Sequence, residues 1–124
     1  MSYELGSDII EVQRIQESIT RHGKRFLDRI FTPLEQAYCD KHRDAMRHYA
    51  GRFAAKEAVV KALGTGISEA ISWLDIEVNN DLSGKPLVLL SDRAIAHFGK
   101  VTIKLTISHC KEYALAVAIA QMDK

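Results

Sequence analysis

From Ala45 to Leu63 the chain runs without proline through residues rich in Ala, Lys, Arg and Glu, and beyond Gly64 its hydrophobic period changes. The first observation predicts one long helix, the longest of the chain, with Gly64 as its left-handed stop. The second predicts strands. Leu74, Ile76 and Val78 alternate with Asp75 and Glu77, Leu87 to Leu90 is a short apolar run after the turn-like Ser83-Gly84-Lys85-Pro86, and Val101, Ile103, Leu105 and Ile107 alternate with Thr102, Lys104 and Thr106. Tyr113 to Ala120 sets large residues at odd positions against alanines at even ones, the pattern of a strand covered on both faces. The segment Ser108 to Glu112 is short enough to join these last two strands as a hairpin. Helices first and a mainly antiparallel sheet later make an α+β fold, with helices packed on the sheet.

The N-terminal half reads as shorter helices. After a short apolar start at Tyr3 to Leu5, Ile9, Val12, Ile15 and Ile19 recur at mostly helical spacing, which predicts an amphipathic helix over Ile9 to Thr20 ending near Gly23. Asp8 then falls at its N-terminus, where a carboxylate caps free amides. Phe26 to Phe31 reads as a helical turn. Thr32-Pro33-Leu34-Glu35 has the signature of a helix start, with Thr as N-cap, Pro at the first position and Glu at the third, leading to a helix through about His42.

With 124 residues, 47% of them hydrophobic, the chain is expected to form one domain spanning 1–124. Seventeen basic and sixteen acidic residues leave a formal charge of +1, which argues against holding nucleic acid by bulk charge. Cys39 and Cys110 form no C-x-x-C pair, so neither a zinc site nor a disulfide framework is expected. No signal-like or membrane-spanning run occurs, and the expectation is a cytoplasmic protein without a membrane partner.

Several polar groups invite a chemical reading. On the long helix Phe53, Glu57, Val60 and Lys61 share a face, so a carboxylate and an ammonium four residues apart emerge beside apolar neighbours. Two readings of that pair stand open, an i,i+4 salt bridge in solvent and a site. Gly64-Thr65-Gly66 looks like a phosphate cradle, but it follows a helix, whose C-terminal dipole repels anions, so a phosphate there needs added charge from Lys61, Arg52 or Lys56. A glycine C-cap is the plainer alternative. Ser108 and His109 are adjacent strand residues that point to opposite faces, which counts against a serine hydrolase dyad. Arg14, Ser18 and Arg21 share a helix face that Arg25 joins if the helical path continues past Gly23. Either a solvated face or a docking patch fits it.

Five ordered segments together resemble the holo-acyl-carrier-protein synthase family over almost the entire chain. They are Gly6-Ser7-Asp8-Ile9-Ile10-Glu11, Phe31-Thr32-Pro33-Leu34-Glu35, the run Arg52 to Gly66, Gly84-Lys85-Pro86, and Ile107-Ser108-His109 with Lys111-Glu112-Tyr113-Ala114. The resemblance implies a 4'-phosphopantetheinyl transferase fold that assembles as a homotrimer with coenzyme A between subunits. It implies transfer of phosphopantetheine from coenzyme A to a serine of apo-acyl carrier protein, in fatty acid biosynthesis, with release of adenosine 3',5'-bisphosphate.

By the same resemblance Asp8 and Glu57 are the Mg2+ ligands, and Lys61 contacts the diphosphate and stabilises the leaving group. Few protein ligands, completed by substrate phosphate and water, are what magnesium prefers. Either Glu57 or a water on the magnesium serves as the base. Arg52, Gly64, Thr65, Lys85 and Pro86 line the nucleotide side, and Ser108 and His109 lie near the adenosine and its 3'-phosphate, offered by a neighbouring subunit. Arg14, Arg21 and Arg25 are the expected docking residues for an acidic carrier protein. Two positions depart from the family pattern: Ser7 replaces an apolar residue or threonine, and Ile10 stands where larger relatives place a third metal carboxylate, leaving Glu11 without a role. Outside this class, the alternatives are a module that binds coenzyme A or carrier protein without transfer, and a nucleic-acid binder, which the net charge disfavours.

Overall fold

The computed structural model describes residues 2–122; Met1, Asp123 and Lys124, the ends of the expected 1–124 domain, lie outside the described residues. The element order is β1 (Ser2–Glu11), α1 (Val12–His22), α2 (Lys24–Ile30), α3 (Pro33–Asp40), α4 (Ala45–Leu63), a 3-10 turn (Trp73–Asp75), β2 (Ile76–Asn80), β3 (Pro86–Leu90), α5 (Asp92–Phe98), β4 (Val101–His109) and β5 (Tyr113–Met122). Strands β1, β5 and β4 form an antiparallel sheet in that order, and β2 pairs with β3 as a separate antiparallel hairpin. The α+β reading therefore holds. Among the described residues no helix is long and apolar enough to cross a membrane.

Helix α4 is the axis of the molecule. Gly64 ends it in the left-handed region (φ 84), returning its N–H to the carbonyls of Val60 and Lys61. Its small residues Ala54, Ala55, Ala58 and Ala62 are buried against the sheet, where Ala114, Ala116, Ala118 and Ala120 of β5 are all fully buried. Alanines on both sides let a helix and a sheet approach closely. On β1, Gly6 takes this to its limit: a Cβ there would lie 2.0 Å from the Ala58 carbonyl oxygen and 2.6 Å from the Ala62 amide nitrogen.

Two sequence expectations are corrected here. The predicted helix over Ile9 to Thr20 begins only at Val12, and Asp8 is a strand residue paired in register with Ala116 rather than an N-cap. Pairing with the full length of β5 bonds one edge of residues 2–11, and this tertiary ladder outweighs local helical spacing. The second concerns β5, whose alanine side is covered while Leu115 and Ile119 are 40% and 38% exposed. Within one chain it is covered on one face. The predicted Thr32 capping box and the β4–β5 hairpin are both present, and α5, capped by the Ser91 hydroxyl, is an element that sequence periodicity did not reveal. Gly23 (φ 57) breaks the path after α1, so Arg25 belongs to a new helix and not to a continued α1 face.

The hairpin β2–β3 is tied to the helices through charge. Lys56, fully buried, donates to Glu35 Oε1 at 2.6 Å and to the carbonyls of Ile30 and Trp73, while Glu35 accepts from the Thr32 and Val78 amides. Burial pulls the Lys56 ammonium below its ordinary range and the Glu35 charge opposes that pull. Lys56 is thus spent on architecture and is not the spare positive charge expected near Gly64.

Gly6→Ala is expected to destabilise the chain by at least about 3 kcal/mol, read as a lower urea midpoint, because neither atom facing the new methyl group is a side chain that can turn away.

Candidate active site

Because β1 runs antiparallel along β5 with its even positions facing α4, Gly6 and Asp8 both point toward the helix. Gly6 meets Ala58 and Ala62, and Asp8 is thereby carried to the residues that precede them, Glu57 and Lys61. The Lys61 ammonium donates to Asp8 Oδ1 at 3.2 Å and to the Ser7 carbonyl at 2.9 Å. Asp8 keeps 17% of its side-chain surface and Lys61 51%, so the cluster opens to solvent at the end of the sheet. Partial burial, followed by the nearby Asp8 charge, raises the Glu57 carboxyl above its ordinary range, and Lys61 opposes the rise.

Two carboxylates forty-nine positions apart therefore repel each other across one ammonium. The i,i+4 pair of Glu57 and Lys61 is not a plain surface salt bridge, since the lysine's hydrogen-bonded partner is Asp8. Oxygen donors of like charge held at a half-exposed rim fit a hard divalent cation such as Mg2+, which takes one or two carboxylates and fills its other places with substrate phosphate and water. Among the described residues no group of three His, Cys, Asp or Glu side chains is disposed to hold a metal by itself.

A second cluster lies further back along α4, where Arg52 is 4% exposed. Its guanidinium donates to Asn80 Oδ1 and lies 4.0 Å from the Tyr38 ring centroid, while its Nε has no protein partner among the described residues. A buried N–H left unpaired costs roughly 1–3 kcal/mol. Arg52 lines a cleft of about 160 Å3 with Tyr38, His48, Asn80, Pro86 and His109. Arg52 is far from Gly64, twelve residues or roughly 18 Å along the helix, so it does not supply charge there.

The remaining sequence candidates are placed as follows. Gly64 and Thr65 are exposed just beyond α4, with the Thr65 hydroxyl turned to the Gly66 carbonyl. Lys85 is exposed in the β2–β3 turn, where its amide donates to Asp81. Ser108 is exposed on the outer side of β4, opposite to His109, in keeping with the expectation that they form no dyad. One chain does not bring Ser108 to the other candidates. Arg14 and Arg21 on α1 and Arg25 on α2 are exposed, and their guanidinium groups have no protein partner among the described residues. Sequence reading missed Asn80, Tyr38 and His48. His48 had a signal, since it stands four residues before Arg52 on the same helix face. Asn80 and Tyr38 had none, because other elements deliver them. A cleft of about 890 Å3 between α1 and the β4–β5 turn is lined by none of Asp8, Glu57 and Lys61.

A model of the 4'-phosphopantetheinyl transferase superfamily matches residues 4–118. The chain belongs to that family. Holo-(acyl-carrier-protein) synthase of Protochlamydia amoebophila (strain UWE25) is 52% identical over 119 residues, 96% of this chain and 98% of that protein. Its counterpart from Chlamydia pneumoniae is 54% identical over 116 residues, 94% of each chain. Among solved structures, Helicobacter pylori holo-(acyl-carrier-protein) synthase in complex with coenzyme A superposes with a TM-score of 0.88 at 34% identity, covering 94% of this chain and 99% of that one. The holo-(acyl-carrier-protein) synthase from Bacillus anthracis str. Ames in complex with CoA (3',5'-ADP) gives 0.83 at 38% identity over 97% and 96% of the two chains.

In metal-free protein Asp8→Asn is expected to lower the Glu57 pKa and Lys61→Ala to raise it, read from the pH dependence of the Glu57 carboxyl 13C shift.

Proposed function

We propose that this phosphopantetheinyl transferase superfamily member is a holo-acyl-carrier-protein synthase, a cytoplasmic single-domain enzyme that moves 4'-phosphopantetheine from coenzyme A to a serine of apo-acyl carrier protein in fatty acid biosynthesis, releasing adenosine 3',5'-bisphosphate. The observation that carries this reading is the meeting of Asp8, Glu57 and Lys61 at one rim of a chain 52% identical to a holo-(acyl-carrier-protein) synthase. Asp8 and Glu57 would hold Mg2+, which supplies a Lewis acid that neutralises charge on the diphosphate.

The chain's own residues account for the rest of the reaction. Lys61 places an ammonium where the leaving diphosphate oxygen gathers charge as its bond to phosphorus breaks and the serine oxygen bonds to that phosphorus. Glu57 is the residue assigned here to take the serine proton. Arg52, with its unpaired Nε, together with Pro86 and His109, receives the nucleotide end. Gly64, Thr65 and Lys85 line the same channel, and Ser108 reaches the adenosine of a neighbouring subunit.

Assembly as a homotrimer is supported by the outer face of the sheet, where Leu5 and Ile9 of β1 stand 70% and 62% exposed beside Ile119 and Leu115, their partners in register. A contiguous apolar strip on a pleated face is what a subunit interface covers. Carrier-protein docking to Arg14, Arg21 and Arg25 is supported by three exposed guanidinium groups without protein partners among the described residues.

Incubation with coenzyme A, magnesium and apo-carrier protein is expected to add the mass of phosphopantetheine to the carrier, and a carrier of unchanged mass would refute the assignment. Asp8→Ala and Glu57→Ala are each expected to abolish transfer, by at least about 100-fold in kcat, while circular dichroism stays that of the folded protein. Arg14→Glu with Arg21→Glu is expected to lower kcat/KM for the carrier protein about tenfold at low salt, with the deficit shrinking as ionic strength rises.

A further inference from the structure

The segment between the end of α4 and the 3-10 turn, residues 65–72, has neither helix nor ladder of its own. It leads directly out of Gly64 and Thr65. Its two ends are fixed: the Thr65 amide donates to the Val60 carbonyl at 3.3 Å, and Ile71 is fully buried in the core that α4 shares with the sheet. Between them Gly66 adopts the left-handed region (φ 62), with open space on the side a Cβ would occupy, so side-chain packing does not set the path there. The tip closes on itself. Ser68 donates its amide to the Ile71 carbonyl at 2.9 Å, and its hydroxyl accepts from the Ala70 amide at 3.2 Å.

Arg93 of α5 reaches this tip from outside the segment. Its Nη1 donates to the Glu69 carbonyl at 2.6 Å, while Nε and Nη2 fork onto the two carboxylate oxygens of Asp75. Asp75 is a fixed base for that fork. It is 8% exposed and accepts from the Ser72 amide at 2.8 Å, the Ser72 hydroxyl at 3.1 Å and the Ser91 hydroxyl at 2.6 Å. The Ser91 amide donates to the Asp75 carbonyl, and the Ser91 hydroxyl also caps α5 by accepting from the Ala94 amide. Burial pushes the Asp75 carboxyl up, and the bonds from Arg93, Ser91 and Ser72 more than offset it, holding the group ionised well below the ordinary carboxylate range.

A guanidinium is planar, so two N–H groups seated on one carboxylate fix the direction of its remaining N–H bonds. Here that direction is the Glu69 carbonyl. Arg93 thereby carries the rigidity of α5 and the 3-10 turn to the tip of a segment without regular structure. A salt bridge whose arginine is 54% exposed contributes little to global stability, so the consequence of this contact is local.

We propose that Arg93, braced by Asp75 and Ser91, is a positioning residue for coenzyme A that fixes the path of residues 65–71 and so holds Thr65 and the chain beyond it in place before the ligand arrives. This rests on the coenzyme A reading above, in which Gly64 and Thr65 line the ligand's channel. A segment ordered in the free protein need not be ordered on binding, so the contact acts on affinity. The reacting groups Asp8, Glu57 and Lys61 are held by β1 and α4, and the chemical step does not depend on it.

Calorimetric titration of the full chain with coenzyme A in the presence of magnesium, beside steady-state transfer with coenzyme A and apo-carrier protein varied in turn, tests it. Arg93→Ala and Arg93→Gln are each expected to raise the Kd and KM for coenzyme A about tenfold, with kcat and the carrier protein's KM within about twofold of the parent. Arg93→Lys, whose ammonium still reaches the Glu69 carbonyl, is expected to recover most of that loss. Hydrogen exchange at the Ser68 and Ala70 amides is expected to quicken in Arg93→Ala while that of α4 stays unchanged. Parental affinity for coenzyme A in both Arg93→Ala and Arg93→Gln, or a fall in kcat as large as the rise in KM, overturns the proposal and leaves the transferase assignment standing. Failure of the parent chain to bind coenzyme A overturns both.

Discussion

The approach of α4 to the sheet is the contact on which the remaining geometry hangs. Gly6 lies so near the Ala58 carbonyl and the Ala62 amide that no side chain fits between them, and the buried alanines of β5 continue the same flat contact across the sheet. Hydrophobic burial drives the two surfaces together, but small residues set how far they go. Two residues beyond Gly6 on the same side of β1, Asp8 is delivered to the helix turn that carries Glu57 and Lys61. A bulkier strand would hold those carboxylates apart, so the packing of apolar atoms is what brings the proposed metal ligands together.

The second end of the proposed site depends on a different kind of contact. The β2–β3 hairpin shares no ladder with the main sheet, and it is anchored instead by polar groups: Glu35 holds the Val78 amide, and Arg52 donates to Asn80. A buried ion pair such as Glu35 with Lys56 adds little net stability compared with apolar packing, yet leaving either partner alone is costly. It fixes one arrangement of α3, α4 and the hairpin. That arrangement shapes the cleft of Arg52, Pro86 and His109 and leaves one N–H of Arg52 without a protein acceptor among the described residues. Along α4, then, a carboxylate rim with one lysine and a cleft with an arginine and imidazoles stand apart on one helix.

Much of this was legible from residue order. The bounds of α4, its glycine stop, the Thr32 capping box and the β4–β5 hairpin follow from local rules, because each is decided by neighbours within a few positions. The misreading of Ile9 to Glu11 as helix shows where such rules stop: the spacing of Ile9, Val12 and Ile15 is shared by the end of a strand and the start of a helix, and only pairing with β5 separates them. The short helix α5 escaped for a related reason, since seven residues offer too little periodicity to be distinguished from a loop. Among site residues, Glu57 and Lys61 announced themselves as a pair on one helix, whereas Tyr38 and Asn80 come from elements whose positions no local pattern encodes.

Residue order by itself determined the elements of α4 and the strands after it, the fold class and, through family likeness, which side chains to watch, since propensity, capping and alternation act over a few bonds. Tertiary structure alone decided that Lys61 bonds to Asp8 rather than resting in solvent with Glu57, that Lys56 is buried in an ion pair, and that the rings of three histidines from a loop, a helix and a strand pack in series. These are contacts between residues up to sixty-one positions apart, and their formation depends on the distance at which the helix and sheet come to rest, a quantity set by the summed packing of the core and not by any one segment.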